Sequence, residues 1–256
     1  MALSNIEKHY NKHPEDLRLQ RRHGIVEFET TMHHLHRYLR PGDFVLDIGA
    51  GTGRYASALM AEGYQVKAVE LVRRNIEVFL KRDPTADVVQ GDARHMPFLP
   101  DGMADATLLL GPLYHLIGDE EKLKALREAR RVTKPGGLIF VAYLMNEYSI
   151  LSYCFDEDRI DALIAEGTVD QDFHIRTREG ELYDYIRLED IDRLNHEAGL
   201  ERVTIFSPDG AADYMRTRLN RMSDATFARF LQYQKCISER PDLIGAGSHT
   251  VDVVRA

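Results

Sequence analysis

Three glycines at alternate positions follow a short apolar segment in the first quarter of the chain. The segment Phe44–Ile48 has the sequence FVLDI, which predicts a buried strand because it is short, apolar and contains β-branched residues. Gly49, Gly51 and Gly53 then allow a sharp turn and let a ligand approach bare backbone. A helix predicted over Tyr55–Glu62 follows, so that its first N–H groups can face that ligand. The pattern predicts a ligand-binding strand, turn and helix.

The spacing of these glycines narrows the class of ligand. Dinucleotide-binding turns use G-x-G-x-x-G, whereas this turn is G-x-G-x-G and has Arg54 at the position of the third dinucleotide glycine. The glycine spacing is therefore less typical of a nicotinamide oxidoreductase. Asp47 ends the strand and Ala50 lies inside the turn, so both are candidate ligand contacts. A glycine-rich turn that binds nothing is the alternative.

Two further acidic residues follow predicted strands. Glu70 comes after the second strand, predicted over Gln65–Val69, at about the 20-residue separation that lets a carboxylate accept from two ribose hydroxyls. Leu71 follows and can pack on an adenine face. Asp92 comes after the third strand, predicted over Ala86–Val89. Alternatively, Glu70 only stabilises the start of the helix that follows it, and Asp92 only caps its own turn.

In order and content these motifs resemble the class I S-adenosylmethionine-dependent methyltransferases. The first motif of that family, (V/L)LD(I/L)GxGxG, is matched by VLDIGAGTG, and RVTKPGGLIFVA resembles a later segment; the matches span residues 43–143. The resemblance implies S-adenosylmethionine as the cofactor, with Glu70 on the ribose and Asp92 on the adenine amino group. It also implies that Arg21 meets the methionine carboxylate as a bidentate pair. The cofactor-binding residues implied are Asp47, Gly49, Ala50, Gly51, Gly53, Arg54, Glu70, Leu71, Asp92, Ala93, Leu110 and Arg21.

The segment after the fourth predicted strand bears on the methyl acceptor. That strand, Asp105–Leu110, ends in GPLYH, where enzymes of this family that methylate nucleic-acid amino groups usually have (D/N/S)PP(Y/F/W). The missing Asp or Asn weakens a base-methylating interpretation. Tyr114 and His115 are the candidate catalytic residues, and packing at the start of a helix is their alternative role. A base is needed only if the acceptor must lose its proton early, since the sulfonium is already activated.

Bulk properties exclude several classes of protein. The chain has 256 residues and a formal net charge of -8, without a basic tract, which weighs against a nucleic-acid partner. No apolar run approaches the ~20 residues of a membrane span, and the start has no secretory signal. Cys154 and Cys236 are expected to be reduced thiols in a cytoplasmic protein. His33, His34 and His36 are not spaced for a metal site, and none is predicted. The oligomeric state is left open.

The predicted fold is one α/β domain with a Rossmann-like sheet of seven mostly parallel strands and helices on both faces. The resemblance implies strand order 3-2-1-4-5-7-6, with the last strand antiparallel. The predicted parts are an N-terminal helical cap (1–40), a cofactor-binding core (43–143), a lid insertion (146–185) and a C-terminal part (186–256) with a helical insertion (208–247). The lid is rich in aromatic residues, so we expect a small-molecule acceptor. RNA or protein methylation, or cofactor binding without activity, are the alternatives.

Overall fold

The computed structural model describes residues 5–12 and 21–256. The strands are β1 (Phe44–Ile48), β2 (Gln65–Glu70), β3 (Asp87–Gln90), β4 (Ala104–Leu109), β5 (Thr133–Leu144), β6 (Glu201–Phe206) and β7 (His249–Arg255). The helices are α1 (Asn5–Lys12), α2 (Arg22–Tyr38), α3 (Arg54–Ala61), α4 (Arg73–Arg82), α5 (Asp119–Val132), α6 (Asn146–Ser149), α7 (Ile160–Ala165), α8 (Leu188–Ala198), α9 (Arg216–Leu219) and α10 (Asp224–Ile237). A 3₁₀ turn covers Pro112–His115 and a π turn covers Ile150–Phe155.

The strands form one sheet in the order β3-β2-β1-β4-β5-β7-β6. The pairs among β1 to β5 are parallel, whereas β7 runs antiparallel to both β5 and β6. The predicted fold class and strand order are therefore confirmed. Because the first five strands are parallel, their carboxyl ends share one edge of the sheet, and the loops after β1, β2, β3 and β4 meet there.

Alternate side chains of each strand pack on opposite faces of the sheet. On one face Leu46 and Ile48 of β1 belong to a cluster with Leu123 of α5 and Leu194 of α8. On the other face Val45 packs in a cluster with Leu35 of α2. Both faces are buried, which explains why the central strands are apolar throughout rather than alternating. This two-sided core fixes the strand ends that carry the functional side chains.

Three local predictions were wrong. The residues KPGG (134–137) predict a turn before a fifth strand that begins at Leu138, but the strand begins at Thr133, because a register shift against β4 accommodates these residues. The sequence predicts Asp119 as the cap of the fifth helix, but Gly118, with φ 82°, holds the cap position and Asp119 is the first helical residue. The spacing of Ile160, Leu163 and Ile164 predicts a helix over 157–166, but the helix is shorter, Ile160–Ala165, because Arg159 already forms its cap.

The predicted N-terminal cap is seen in part. α1 and α2 belong to it, and its residues 1–4 and 13–20 lie outside the described part of the chain. Ile25, Phe28, Met32, Leu35 and Leu39 recur every three or four residues, which predicts one apolar face on this helix. Met32, Leu35 and Leu39 are buried, and Ile25 and Phe28 are partly buried. No helix in the described ranges is both long enough and apolar enough to cross a bilayer.

Candidate functional site

A cavity of about 210 Å³ opens at the carboxyl edge of the parallel strands. Four successive strand ends supply its walls, and α1 contributes Ile6 and Tyr10. The sequence-predicted residues that line it are Asp47, Gly49, Ala50, Gly51, Arg54, Glu70, Leu71, Asp92, Ala93, Leu110, Tyr114 and His115. Gly53 and Arg21 do not line it. The structure thus brings most of the predicted site into one cavity.

The glycine turn is built so that only glycine fits at two of its positions. A Cβ on Gly49 would lie 2.5 Å from a ring carbon of Pro112, and one on Gly53 would lie 2.4 Å from the Phe79 ring. Gly51 faces open space, but its φ of +56° is a left-handed conformation that favours glycine. Gly49 and Gly53 therefore serve packing, whereas Gly51 leaves the cavity wall bare for a ligand.

Glu70 is fixed between the turn and α4. Its Oε2 accepts the Gly51 N–H at 2.8 Å, and its Oε1 accepts the Val72 N–H at 2.8 Å and the Asn75 side-chain amide at 3.1 Å. The residue is only 5% exposed. Burial raises the pKa of Glu70, and the hydrogen bonds oppose that rise. The carboxylate is therefore held in one orientation on the wall of the cavity. Asn75, which helps to orient it, was missed by sequence reasoning.

Asp47 is a buried carboxyl group with an unsatisfied oxygen. It is 2% exposed, and among the described residues its Oδ2 has no hydrogen-bond partner. Burial, with a smaller contribution from the charge of Glu70, raises the pKa of Asp47 to about 7, and a backbone hydrogen bond from Ala56 opposes this. Buried polar atoms are normally paired. An unsatisfied oxygen on the wall of a cavity therefore indicates a place for a ligand's donor group.

Asp92 faces the cavity but is already held by an arginine. Arg94 donates from Nη2 to Oδ2 at 2.6 Å and from Nε to Oδ1 at 3.0 Å, and also binds Glu121. Burial alone would raise the pKa of Asp92, but the hydrogen bonds and charge of Arg94 outweigh burial and lower it. The backbone N–H of Arg94 also donates to Oδ1, at 2.9 Å, so Asp92 is held ionised in a fixed position on the wall of the cavity. Arg94 was not among the predicted residues, although it lines the cavity.

Arg54 lines the cavity, whereas Arg21 does not. Arg21 is exposed at the cap of α2. The guanidinium carbon of Arg54 lies 4.4 Å from the centre of the Phe28 ring, and its buried Nε has no hydrogen-bond partner among the described residues. The stacking fixes the guanidinium plane. Arg54 and Asp47 thus both line the cavity, and each has one buried atom without a hydrogen-bond partner among the described residues.

His115 is fixed as a neutral ring. Its Nδ1 lies 2.9 Å from the Leu182 carbonyl, which can only accept, so Nδ1 carries the proton. Nε2 therefore accepts from the Tyr10 hydroxyl at 2.9 Å. Burial lowers the pKa of His115 to about 4. With both nitrogens engaged and little tendency to bind a proton, His115 is poorly suited to act as a base and instead anchors α1 over the cavity.

The end of the predicted lid insertion, residues 182–184, contacts the part of the cavity wall that Tyr114 and His115 form. The Asp184 N–H donates to the Tyr114 carbonyl at 2.8 Å, and the buried Lys122 forms an ion pair with Asp184. The ring of Tyr183 lies 5.1 Å from that of His115, measured between centres. Residues 182–184 therefore hold Tyr114 and His115 in place.

Comparisons with known proteins agree with this geometry. Residues 46–141 match the family model of a methyltransferase domain. A demethylmenaquinone methyltransferase of Renibacterium salmoninarum is 37% identical over 102 residues, which are 40% of this chain and 41% of that protein. The mouse (Mus musculus) protein named "Probable tRNA methyltransferase 9B" is 28% identical over 142 residues, 50% of this chain and 31% of that one.

The likeness to solved structures extends over more of the chain. A Thermotoga maritima S-adenosylmethionine-dependent methyltransferase, described as a possible histamine N-methyltransferase, superposes with a TM-score of 0.60, 20% identity and 98% of each chain covered. At that identity the likeness shows the fold. The chain spans about two fifths of the length of the demethylmenaquinone methyltransferases that it matches.

Proposed function

We propose that this chain, whose residues 46–141 match a methyltransferase domain, is a class I S-adenosylmethionine-dependent methyltransferase and transfers the methyl group of that cofactor to a small-molecule acceptor. The observation that carries the proposal is the single cavity in which the glycine turn, Glu70 and Asp92 meet at the edge of the sheet. The family assignment supports the cofactor, whereas the acceptor is inferred from the walls of the cavity.

The residues of the cavity fit the cofactor's parts. Glu70 accepts from the ribose hydroxyls, and Asp92 accepts from the adenine amino group. The unsatisfied atoms of Asp47 and Arg54 suit an amino-acid end, because its ammonium donates to a carboxylate and its carboxylate accepts from a guanidinium. Arg54 thus takes the role that the sequence predicted for Arg21. The two atoms that lack a partner among the described residues, Asp47 Oδ2 and Arg54 Nε, then each have one, which is what buried polar atoms require.

When bound, S-adenosylmethionine supplies a methyl group that its sulfonium has already activated. The protein's task is to align the acceptor with that group and to exclude water. Tyr114 and the neutral His115 line the end of the cavity next to Gly111, which follows β4. Tyr10 closes over His115 from α1. These rings form a wall that can orient an acceptor without binding a proton.

Three features favour a small acceptor. α1 lies over the cavity through the Tyr10–His115 hydrogen bond, which leaves little room for a polymer. The wall is aromatic, which suits a mostly apolar ligand with few polar anchors. The net charge is -8, which disfavours a polyanion. One relative is named for demethylmenaquinone and another for tRNA, so the test includes both classes of acceptor.

The proposal is tested in two steps. Calorimetric titration should show binding of S-adenosylmethionine and none of NAD. Protein charged with [methyl-³H]S-adenosylmethionine is then offered a small-molecule pool or total tRNA, and label should appear in the small molecules. Binding of NAD alone would refute the cofactor assignment. Salt-sensitive labelling of tRNA would refute the small-molecule acceptor and leave the cofactor assignment intact.

A further inference from the structure

The predicted lid insertion, residues 146–185, accounts for the whole net charge of the chain. Of the 41 Asp and Glu residues and the 33 Lys and Arg residues of the protein, this segment contains eleven and three, so its net charge of -8 equals that of the chain. The rest of the sequence is balanced between acidic and basic side chains. Among the described residues, those that line the cavity all lie outside this segment. The charge therefore lies on a surface other than the wall of the cavity.

The same segment exposes large apolar side chains. Leu151, Phe155 and Phe173 are 52%, 48% and 43% exposed. Leu151 and Phe155 lie about one turn apart on the π turn, and the centres of the Phe155 and Phe173 rings are 6.2 Å apart. These three side chains form one surface, the lid patch. Neighbouring exposed apolar side chains of this size indicate a place where another molecule binds.

A small core supports the lid patch from behind. Ile150 and Cys154, each one residue before a member of the patch, are buried together with Val169, and apolar side chains of α7 pack against them. The π turn thus has an inner face that is buried and an outer face, with Leu151 and Phe155, that is exposed. The apolar side chains of the outer face are not needed for this core.

Phe173 has an unusual backbone conformation. Its φ is 58°, in the left-handed region that a bulky side chain seldom adopts. The Phe173 carbonyl accepts from the Asn146 side-chain amide at 2.9 Å and from Arg187 Nη2 at 3.3 Å. These bonds hold the strained backbone while the ring stays exposed. Strain of this kind is concentrated at functional positions.

Carboxylates without a cationic partner flank the lid patch. Asp156 follows Phe155 directly, Asp172 precedes Phe173, and the Asp158 N–H donates to the Phe155 carbonyl at 3.0 Å. All three aspartates are exposed, and within the described ranges none of them forms an ion pair. The lid patch is therefore apolar at its centre and negatively charged at its rim, as protein-binding surfaces commonly are.

The charge of the segment distinguishes among the molecules that could cover this surface. Nucleic acids and anionic phospholipids are themselves negatively charged, so the segment repels both. In a symmetric dimer through the lid patch, two segments of charge -8 would face each other. A polypeptide with an apolar side chain flanked by Lys or Arg matches both the centre and the rim.

We infer that the lid patch is a docking surface for a basic polypeptide segment. An apolar side chain of the partner packs against Phe155 and Phe173, and its Lys or Arg side chains pair with the carboxylates of Asp156, Asp158 and Asp172. The apolar contact supplies affinity, and the charges select a basic partner and speed its approach. The inference does not depend on the proposed methyl transfer, because these residues lie outside the cavity wall.

The test uses synthetic peptides with blocked ends that separate charge from apolar contact: KKFKKLKK, KKGKKSKK and EEFEELEE. Each is titrated calorimetrically into the full chain in about 50 mM NaCl, where surface charges are weakly screened. We expect KKFKKLKK to bind, KKGKKSKK to bind at least about tenfold more weakly, and EEFEELEE not to bind. In hydrogen exchange, KKFKKLKK should protect residues 150–173 and leave α10 unchanged.

Two variants of the patch address the two parts of the inference. Phe155→Ser with Phe173→Ser should weaken KKFKKLKK about tenfold or more by removing the apolar contact. Asp156→Asn with Asp158→Asn and Asp172→Asn should weaken binding and reduce its dependence on salt. The matched controls are Tyr233→Ser on α10, where the side chain is 56% exposed, and Glu201→Gln at the exposed start of β6. Circular dichroism is run on every variant.

Several results would overturn the inference. Wild type that does not bind KKFKKLKK, or that binds KKGKKSKK equally well, would show that the patch supplies no apolar contact. Equal losses in the patch variants and in the controls would show that the peptide binds by general charge. Binding to tRNA or to phosphatidylglycerol vesicles that the serine substitutions abolish would assign the patch to an anionic partner. A dimer in sedimentation that the same substitutions dissociate would assign it to a second copy of the chain.

Discussion

The substitution Glu70→Gln tests the role of the best-anchored side chain of the cavity. A glutamine keeps the shape of Glu70 but replaces one accepting oxygen by an NH₂ group. In either amide orientation a donor then meets a donor, at Gly51 on one side or at Val72 and Asn75 on the other. The wild-type carboxylate can accept from both sides at once, so the variant loses the anchor of the turn as well as a ribose contact.

The magnitude follows from the type of hydrogen bond lost. The variant loses one ribose bond and leaves the other to a neutral amide; since a bond to a charged group is worth about 1.5–3 kcal/mol, the loss amounts to about 3 kcal/mol. Since about 1.4 kcal/mol corresponds to tenfold in affinity, the Kd for S-adenosylmethionine should rise about 100-fold. Calorimetric titration measures this directly. An analogue that lacks the ribose 2′-hydroxyl should lose less affinity on the same substitution.

The matched control is Glu77→Gln, the same change on the exposed face of α4, where the side chain is 66% exposed. It should leave the Kd unchanged. Circular dichroism should show Glu70→Gln folded at the titration temperature. A folded Glu70→Gln protein whose Kd rises less than twofold would show that Glu70 only supports the turn and does not hold the ribose.

Three further predictions concern the rest of the cavity. Because Asp47 has a pKa of about 7 without ligand and the cofactor's ammonium favours its ionised form, affinity for S-adenosylmethionine should rise as pH increases through 7; titration from pH 6 to 8 should lose this dependence in Asp47→Asn, and an unchanged slope would rule out the contact. Gly53→Ala should lower the melting temperature strongly because its Cβ would lie 2.4 Å from a buried ring. Gly51→Ala should instead cost about 1–2 kcal/mol of stability for its left-handed backbone and reduce cofactor affinity; similar melting temperatures for the two variants would contradict the packing argument. Tyr10→Phe removes the donor to His115, so hydrogen exchange should speed up in α1 and cofactor dissociation should accelerate several-fold, whereas unchanged exchange would mean that α1 is held by other contacts.

The sequence predicted the sheet and the cofactor edge because both depend on short-range patterns. Phe44–Ile48 has the bounds that its apolar run predicted. The glycines follow β1, Glu70 ends β2 and Asp92 lies just after β3, so the parallel order of the strands brings them together. The turn predicted before β5 is part of that strand in the structure, because Pro135 and Gly136 lie where its register against β4 shifts. The sequence of β5 alone does not show this shift, since it depends on the neighbouring strand.

Other features of the site depend on contacts between distant segments. Arg54 rather than Arg21 lines the cavity because α2 packs its Phe28 ring against the guanidinium. The neutral state of His115 requires Leu182, and its bond to Tyr10 requires α1 to lie over the cavity. No local pattern in the sequence marks these pairings, which arise from the way the helices and loops cover the sheet.

A crystal structure of the protein with S-adenosylhomocysteine tests the placement of the cofactor in the cavity. We expect density in the cavity, with the ribose hydroxyls on Glu70, the adenine amino group on Asp92 and the amino-acid end between Asp47 and Arg54. The sulfur should face Gly111 and Tyr114. Density for the ligand outside the cavity, or in the cavity with its ribose away from Glu70, would refute the proposed cofactor site.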